Sequence, residues 1–299
     1  MFDRKYAEEV AKRFWESKGN NPGSLQCLRF GQNGMFVDRD SAQVLRVHRP
    51  TRSISEVSKE VALVEHLDEV NFPSTRLSSR YAPQPVVFDE SIITIWELEH
   101  DTGAEKNLGE LGTLIRAFHE AVADASESWP PLPWIDISLE RLERYMSDSR
   151  FDSATIGSIN KRVEQLQGIA SGSIKSELGW GIVHGDAHIG NVISGAEGLV
   201  LADFERVCVS AREWDAIPTV VAIRRFGNDE KQLRSFASTF HNDLLDHEFL
   251  DDMCEVREWF MLTALMEQQG SSKRIDEAIN WQTSTLLNGD RIAQWEPLW

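Results

Sequence analysis

Apolar positions in the first hundred residues fall in short runs rather than in helical stripes. CLRF (27–30), MFV (35–37) and SAQVLRV (41–47) are rich in β-formers, and the turn-forming segments GQNG and DRD separate them. APQPVV (82–87) and SIITIWEL (91–98) predict two further strands. Between these groups Val57, Val61 and Val64 share one face of a helix whose cap is Ser53 or Ser55. At the start, Phe2, Tyr6, Val10 and Phe14 lie four apart among charges, which predicts an amphipathic helix rather than a signal peptide. From Asn107 onward the spacing turns helical, over 108–121, 138–146, 255–269 and about 275–287, while 150–178 shows no clear period. SESWPPLPW, between two of these helices, is a Pro-rich loop too short and aromatic to be a flexible linker. The pattern predicts an α+β chain: a small sheet-rich region at residues 1–98, then a larger, mostly helical one at 99–299.

One β-like interruption breaks the helical half. In GWGIVHGDAHIGNVISGAEGLVLADFERV, the apolar runs GIV and LVLA each end in a carboxylate-bearing loop. The first loop carries His184, Gly185, Asp186, His188 and Asn191; the second carries Asp203, Phe204 and Glu205. Strands that end in Asp and Asn converge oxygen ligands, and oxygen ligands without cysteine suit a hard cation, Mg²⁺ before Zn²⁺. The three cysteines, Cys27, Cys208 and Cys254, are too scattered for a disulfide framework or a zinc site and are expected as buried thiols. GDAH also resembles part of a metallophosphoesterase motif, but the upstream D-x-H and downstream GNH[DE] are missing. GWGIVHG nearly mimics a dinucleotide-binding fingerprint, with its third glycine one place late.

Taken together, HGDAHIGN and ADFE strongly resemble the aminoglycoside phosphotransferase and choline-kinase-like family, in which the patterns are HGDxHxxN and D-F/W-E. The resemblance extends over about residues 25–225, through VLRV, the helix with Glu60, LGELGTLIRAFHEA and REWDA. It implies a bilobal protein-kinase-like fold with a small antiparallel-sheet lobe containing one helix, ATP (or another nucleoside triphosphate) and Mg as cofactors, and phosphoryl transfer to a hydroxyl. By motif position Asp186 would be the catalytic base, and Asn191 and Asp203 would hold magnesium. Arg46 and Glu60 each sit on a face where a lone charge is costly to bury, so each needs a partner. The resemblance pairs them and gives Arg46 the nucleotide phosphates, in place of the usual kinase lysine. It also places Asn33 and Gly34 in the turn that covers the nucleotide, and Glu97 and Leu98 in the hinge beside adenine. Asp215 would brace the catalytic loop, as would hydrogen bonds from His184 and His188. Gly185 stands where protein kinases carry arginine, and no A-P-E segment follows ADFE, which favours a small-molecule acceptor over a protein.

Charge narrows the acceptor. The chain of 299 residues carries 31 basic and 48 acidic side chains, a net charge of −17. Residues 1–100 hold 13 basic and 15 acidic side chains, so residues 101–299 carry −15 of the total. Such a balance excludes a nonspecific nucleic-acid binder, and without an 18-residue apolar run a membrane span is not expected; an amphipathic helix rather than a signal peptide at the start leads to the expectation of a cytoplasmic protein. Acceptor recognition is expected from 126–178 and 240–299. Seven acids and one base, Arg257, lie between His241 and Glu258; lined along a cleft they would attract a cation, and on a solvated face they would mean nothing. Tryptophans such as Trp259, Trp281, Trp295 and Trp299 would cage a quaternary ammonium, stack on a sugar, or simply fill the core. An aminoglycoside or amino sugar is the favoured acceptor. Choline, ethanolamine or another metabolite is the alternative, and a catalytically silent kinase-like binding protein is the reading from another class.

Overall fold

The computed structural model describes residues 2–125, 128–146, 151–168, 175–227 and 230–298. The chain divides into two compact units, one of residues 1–105, 124–127 and 192–205, the other of 106–123, 128–191 and 206–299. The expected division was a single cut after residue 98. The segment 192–205 is instead grouped with the sheet, for a reason visible in its bonds: Thr75 N donates to Leu201 O, Leu201 N to Pro73 O, and Thr102 N to Ser194 O.

In the first unit β1 (Gln26–Phe30), β2 (Gly34–Asp38), β3 (Gln43–Val47), β4 (Val86–Phe88) and β5 (Ser91–Glu97) form one antiparallel sheet in the order β1-β2-β3-β5-β4. Helix α1 (Arg4–Ser17) covers one face. It buries Ala7, Val10, Ala11, Phe14 and Trp15 against Phe36, Leu45, Val47, Ile93 and Ile95. Its inward stripe is therefore 7/10/11/14/15 rather than 2/6/10/14, because a 3.6-residue repeat drifts off a strict spacing of four. Tyr6 falls at the edge, its hydroxyl 3.1 Å from Ser91 Oγ. Helix α2 (Ile54–Glu69) is capped by Ser53: Glu56 N donates to Ser53 Oγ and Ser53 N to Glu56 Oε2, a reciprocal capping box. Among the described residues the unit thus holds two α-helices, α1 in addition to the one with Glu60. A hairpin of β7 (Val192–Gly195) and β8 (Gly198–Leu201) completes it.

The second unit is helical around one short ladder, β6 (Trp180–Val183) with β9 (Cys208–Ala211). Its helices among the described residues are α3 (Leu108–Ala121), α4 (Trp134–Met146), α5 (Ser153–Gly168), α6 (Ile217–Arg225), α7 (Glu230–Phe240), α8 (Leu250–Met266) and α9 (Lys273–Leu287). Helix α8 is buried on nearly every side, including at Glu255, Arg257 and Glu258, so each of these charges needs a partner. Part of the unassigned stretch 150–178 becomes α5; residues 150 and 169–174 lie outside the described residues, as do 126, 127 and Trp299. Cys208 and Cys254 are buried free thiols, and burial raises the pKa of both, Cys254 to about 12.

Candidate active site

In the first unit the alternation of β3 sends Leu45 and Val47 into the core under α1 and Arg46 to the opposite face. There Arg46 Nη1 donates to Glu60 Oε1 at 2.7 Å, and its guanidinium lies over the Trp96 ring at 5.0 Å. Glu60, 1% exposed, also accepts from Arg52 Nη1 at 2.6 Å. Burial alone would pull the pKa of Arg46 down, but Glu60, Asp203 and Glu205 raise it above the ordinary value, so the group stays cationic. Asp203 Oδ1 is 4.0 Å from Arg46 Nη2 and accepts no hydrogen bond among the described residues. Its backbone is left-handed, with φ +68, an uncommon strain for a non-glycine residue.

Arg49 and Arg52 were not singled out from the sequence, although R46-V-H-R49-P-T-R52 repeats a basic residue every three positions. Arg49 pairs with Glu205 Oε1 at 2.5 Å, and Arg52 lies 3.8 Å from Glu205 Oε2. Asn33 is engaged at both ends, its Nδ2 donating to Glu205 Oε2 and its Oδ1 accepting from Arg49 N. Its backbone carbonyl accepts from Gly31 N at 3.1 Å, so only its backbone N–H is left for a nucleotide among the described residues. Gly34 is glycine for packing: a Cβ there would lie 2.8 Å from Ala7 Cβ and 2.9 Å from the Phe36 ring. At the expected hinge, Glu97 N donates to Arg76 O and Leu98 N to Ala42 O, so neither amide is free.

His48 sits inside this basic cluster, 2% exposed, and burial first, then Arg46, Arg52 and Arg49, push its pKa down to about 2. The folded protein therefore refuses a proton that the unfolded chain accepts near pH 6.5, and stability falls as pH drops below that value. Between pH 7.5 and 5 the loss should be about 2 kcal/mol. Urea denaturation of the wild type and of His48→Gln at both pH values measures it; an equal acid loss in the two proteins would contradict it.

In the second unit Asp186 follows β6 on a loop held from below by Asp215. That carboxylate, wholly buried, accepts from His184 N, Gly185 N and His119 Nε2, each at 2.8 Å. The brace expected of Asp215 is thus formed by three donors. Gly185 has φ +78, and a Cβ there would lie 2.2 Å from Arg206 O, which leaves no room for a side chain where protein kinases carry arginine. Of the two loop histidines, His188 Nδ1 accepts from Gly190 N at 3.0 Å, while the contact from Asp186 N to His184 Nδ1 is long at 3.4 Å. Asn191 Nδ2 donates to Asp186 O at 2.9 Å, leaving Asn191 Oδ1 without a hydrogen bond among the described residues.

Asp186 itself is ion-paired. Arg257 Nη2 of α8 donates to Asp186 Oδ1 at 2.7 Å, while Oδ2 accepts no hydrogen bond among the described residues. Burial would raise the pKa of Asp186, but Arg257, His188, His184 and Arg206 hold it below the ordinary carboxylate value. Sequence reasoning passed over Arg257, though it is the one base in an acid-rich run. The acids around it do not form a free row. Asp251 pairs with Arg224 and Arg291, Glu255 with Arg162, and Glu258 with Arg225; Asp252 lies 3.9 Å from Arg162. Asp243, Asp246 and Glu248 are exposed. Trp259 and Trp295 are buried in the core, and the half-exposed Trp281 donates through Nε1 to Gln294 O.

The fold has counterparts among solved structures. An amicoumacin kinase, hAmiN, in complex with AMP-PNP, Ca²⁺ and Ami superposes with a TM-score of 0.79 at 13% identity, over 99% of this chain and 98% of that one. The aminoglycoside phosphotransferase APH(4)-Ia gives 0.66 at 14% identity, over 95% and 99%. The choline kinase LicA from Streptococcus pneumoniae gives 0.64 at 14%, also over 95% and 99%. At such identities the likeness establishes the protein-kinase-like fold. No curated protein sequence matches the chain. Residues 33–253 match the model of the phosphotransferase enzyme family, a span that includes Arg46, Asp186 and Asp203, and the chain belongs to that family.

Proposed function

We propose that the protein transfers the γ-phosphoryl group of ATP, bound with magnesium, to a hydroxyl of a small-molecule acceptor. The observation that carries this reading is Asp186, fixed in HGDAHIGN by the buried Asp215 brace and left with Oδ2 open to an acceptor hydroxyl. Phosphoryl transfer asks mainly for positioning and charge neutralisation. Arg46, kept cationic and aligned by Glu60 and Trp96, is suited to grip phosphate oxygens, where a guanidinium binds two at once. Asn33 and Gly34 would contribute backbone to the phosphates. Around adenine the segment at Glu97 and Leu98 would contribute carbonyls, with a donor from beyond Leu98, since both its amides are taken.

Taken one by one, the donors present in each unit are of the kind magnesium takes. Asp203 offers a carboxylate and Asn191 an amide oxygen, hard donors that are free of hydrogen bonds among the described residues. Among the described residues no trio of acidic, histidine or cysteine side chains would hold a metal alone. None is needed for an ion that takes one or two protein oxygens, waters and substrate phosphates. When bound, magnesium neutralises phosphate charge that develops during transfer.

A cationic acceptor, an aminoglycoside or amino sugar, is supported by the net charge of −17. The pairing of four of the seven acids in 241–258 removes much of the cleft-lining support for it. Coupled ADP release over aminoglycosides, amino sugars, choline, ethanolamine and macrolides, extended to the anionic compounds considered below, tests the reading. Acceptor-dependent release that Asp186→Asn abolishes is expected; absence of any such release, or undiminished release in that variant, would sink it.

A further inference from the structure

Phe260, on α8, is ringed by three guanidinium groups: Arg141 at 4.8 Å, Arg257 at 5.2 Å and Arg206 at 5.7 Å. They arrive from three separate segments, α4, α8 and the turn before β9, in a region whose overall balance is strongly negative. Among the described residues two carboxylates answer them. Glu267 faces Arg141 at 3.6 Å, and Asp186 faces Arg257. Arg206, only partly buried, has no carboxylate within ion-pair distance among the described residues. The mutual repulsion registers on Arg141, whose pKa is lowered by burial first and then by Arg206, Arg144 and Arg257, against Glu267.

Arg257 is 9% exposed and lies flat against two rings, Trp134 at 4.9 Å as well as Phe260. Its Nη2 serves Asp186, while Nε and Nη1, both buried, have no hydrogen-bond partner among the described residues. A guanidinium is a planar, weakly hydrated fork that binds carboxylate and phosphate oxygens, and stacking on aromatic rings presets its plane. A molecule whose hydroxyl meets Asp186 Oδ2 brings its neighbouring substituents to this cluster.

We propose that the acceptor carries an anionic group, a carboxylate or a phosphate, bound by Arg206 together with Arg257 while its hydroxyl meets Asp186. The assignment rests on the phosphotransferase reading and replaces the cationic acceptor that net charge favours. An oxyanion supplies the negative charge that Arg206 lacks in this cluster of three arginines and two carboxylates, whereas an ammonium group would be repelled by the surplus positive charge.

Two measurements test it. In the first, ADP release is compared for gluconate and glycerate as hydroxy acids, glucose 6-phosphate as a phosphate ester, and glucosamine, kanamycin and choline as amines. Anionic acceptors are expected to support turnover, the better of the two anionic groups naming the oxyanion, and Arg206→Gln is expected to raise their KM roughly tenfold to a hundredfold. Turnover of amines alone, or an unchanged KM in Arg206→Gln, overturns the proposal. In the second, calorimetric titration of the nucleotide-free protein with gluconate and glucose 6-phosphate reads binding without chemistry. Saturable binding weakened by Arg206→Gln supports the subsite, and no binding overturns it. If ADP release were undiminished in Asp186→Asn, the kinase reading would fall while the titration still decided whether the arginines hold an anion.

Discussion

Asp186→Asn is expected to lower acceptor-dependent kcat by about 10²–10⁴-fold, the usual contribution of a group that takes a proton in the transition state. The substitution keeps the shape of the side chain. Its amide oxygen can still accept from Arg257 Nη2, and the brace of Asp215 on His184 and Gly185 is untouched. A loss of activity with an unchanged circular-dichroism spectrum would therefore report on chemistry rather than folding. Because Arg257 and the neighbouring histidines hold the pKa of Asp186 below the ordinary carboxylate value, the group is ionised throughout the neutral range. A depressed carboxylate pKa means that its contribution is present above the ordinary value and is lost only as pH falls below it. Any limb of the pH–rate profile between 6 and 8 must then belong to another group. The same depression makes Asp186 a weak base, which suits a loose transition state in which orienting the hydroxyl matters more than early deprotonation. A decrease in kcat of less than tenfold would remove Asp186 from this role.

How far these conclusions could be read from the chain depends on the range of the interaction. The five strands of the sheet were legible because alternation and turn residues are local signals, and α3 spans the predicted 108–121. Helix α7 carried the same kind of signal, Leu233, Phe236, Ala237 and Phe240 at helical spacing, although it was not singled out; α6 did not. In α6, Pro218, Thr219, Val220 and Val221 are poor helix formers, and the helix is held by burial of most of its residues. Strands β7 and β9 are four residues each, too short for a period to show, and they exist through pairing with β8 and β6.

The candidate site divides in the same way. Asp186, Asn191 and Asp203 were found together because two motifs carry them within 18 residues. Arg257 contacts Asp186 across 71 positions, and Arg49 contacts Glu205 across a still longer separation; no local pattern encodes either pairing. What the sequence did offer at Arg257 was an anomaly, one base among seven acids. Charge counts alone do not say which of those acids are already neutralised by arginines elsewhere in the chain.

Glu60→Ala is expected to have the largest effect on stability, a loss of about 3–5 kcal/mol, because it leaves buried positive charge uncompensated. Glu60 bonds Arg46 at 2.7 Å and Arg52 at 2.6 Å, and both arginines are buried. Among the described residues their remaining carboxylate neighbours are Asp203, 4.0 Å from Arg46, and Glu205, 3.8 Å from Arg52. The release of Arg46 should also raise the KM for ATP, but a destabilised protein would blur that result. A triple variant separates the two effects. Replacing Arg46 by Met, Glu60 by Leu and Arg52 by Met removes the whole buried ionic group, and such replacements are often neutral or stabilising. Denaturant unfolding should show the triple variant recovering most of the stability lost in Glu60→Ala, while ATP titration shows no recovery of nucleotide affinity. A Glu60→Ala loss below about 1 kcal/mol would mean that the buried pair is not what holds this part of the sheet unit together. Full ATP affinity in the triple variant would mean that the phosphates are gripped elsewhere, and Arg46 would then be a structural cation stacked on Trp96.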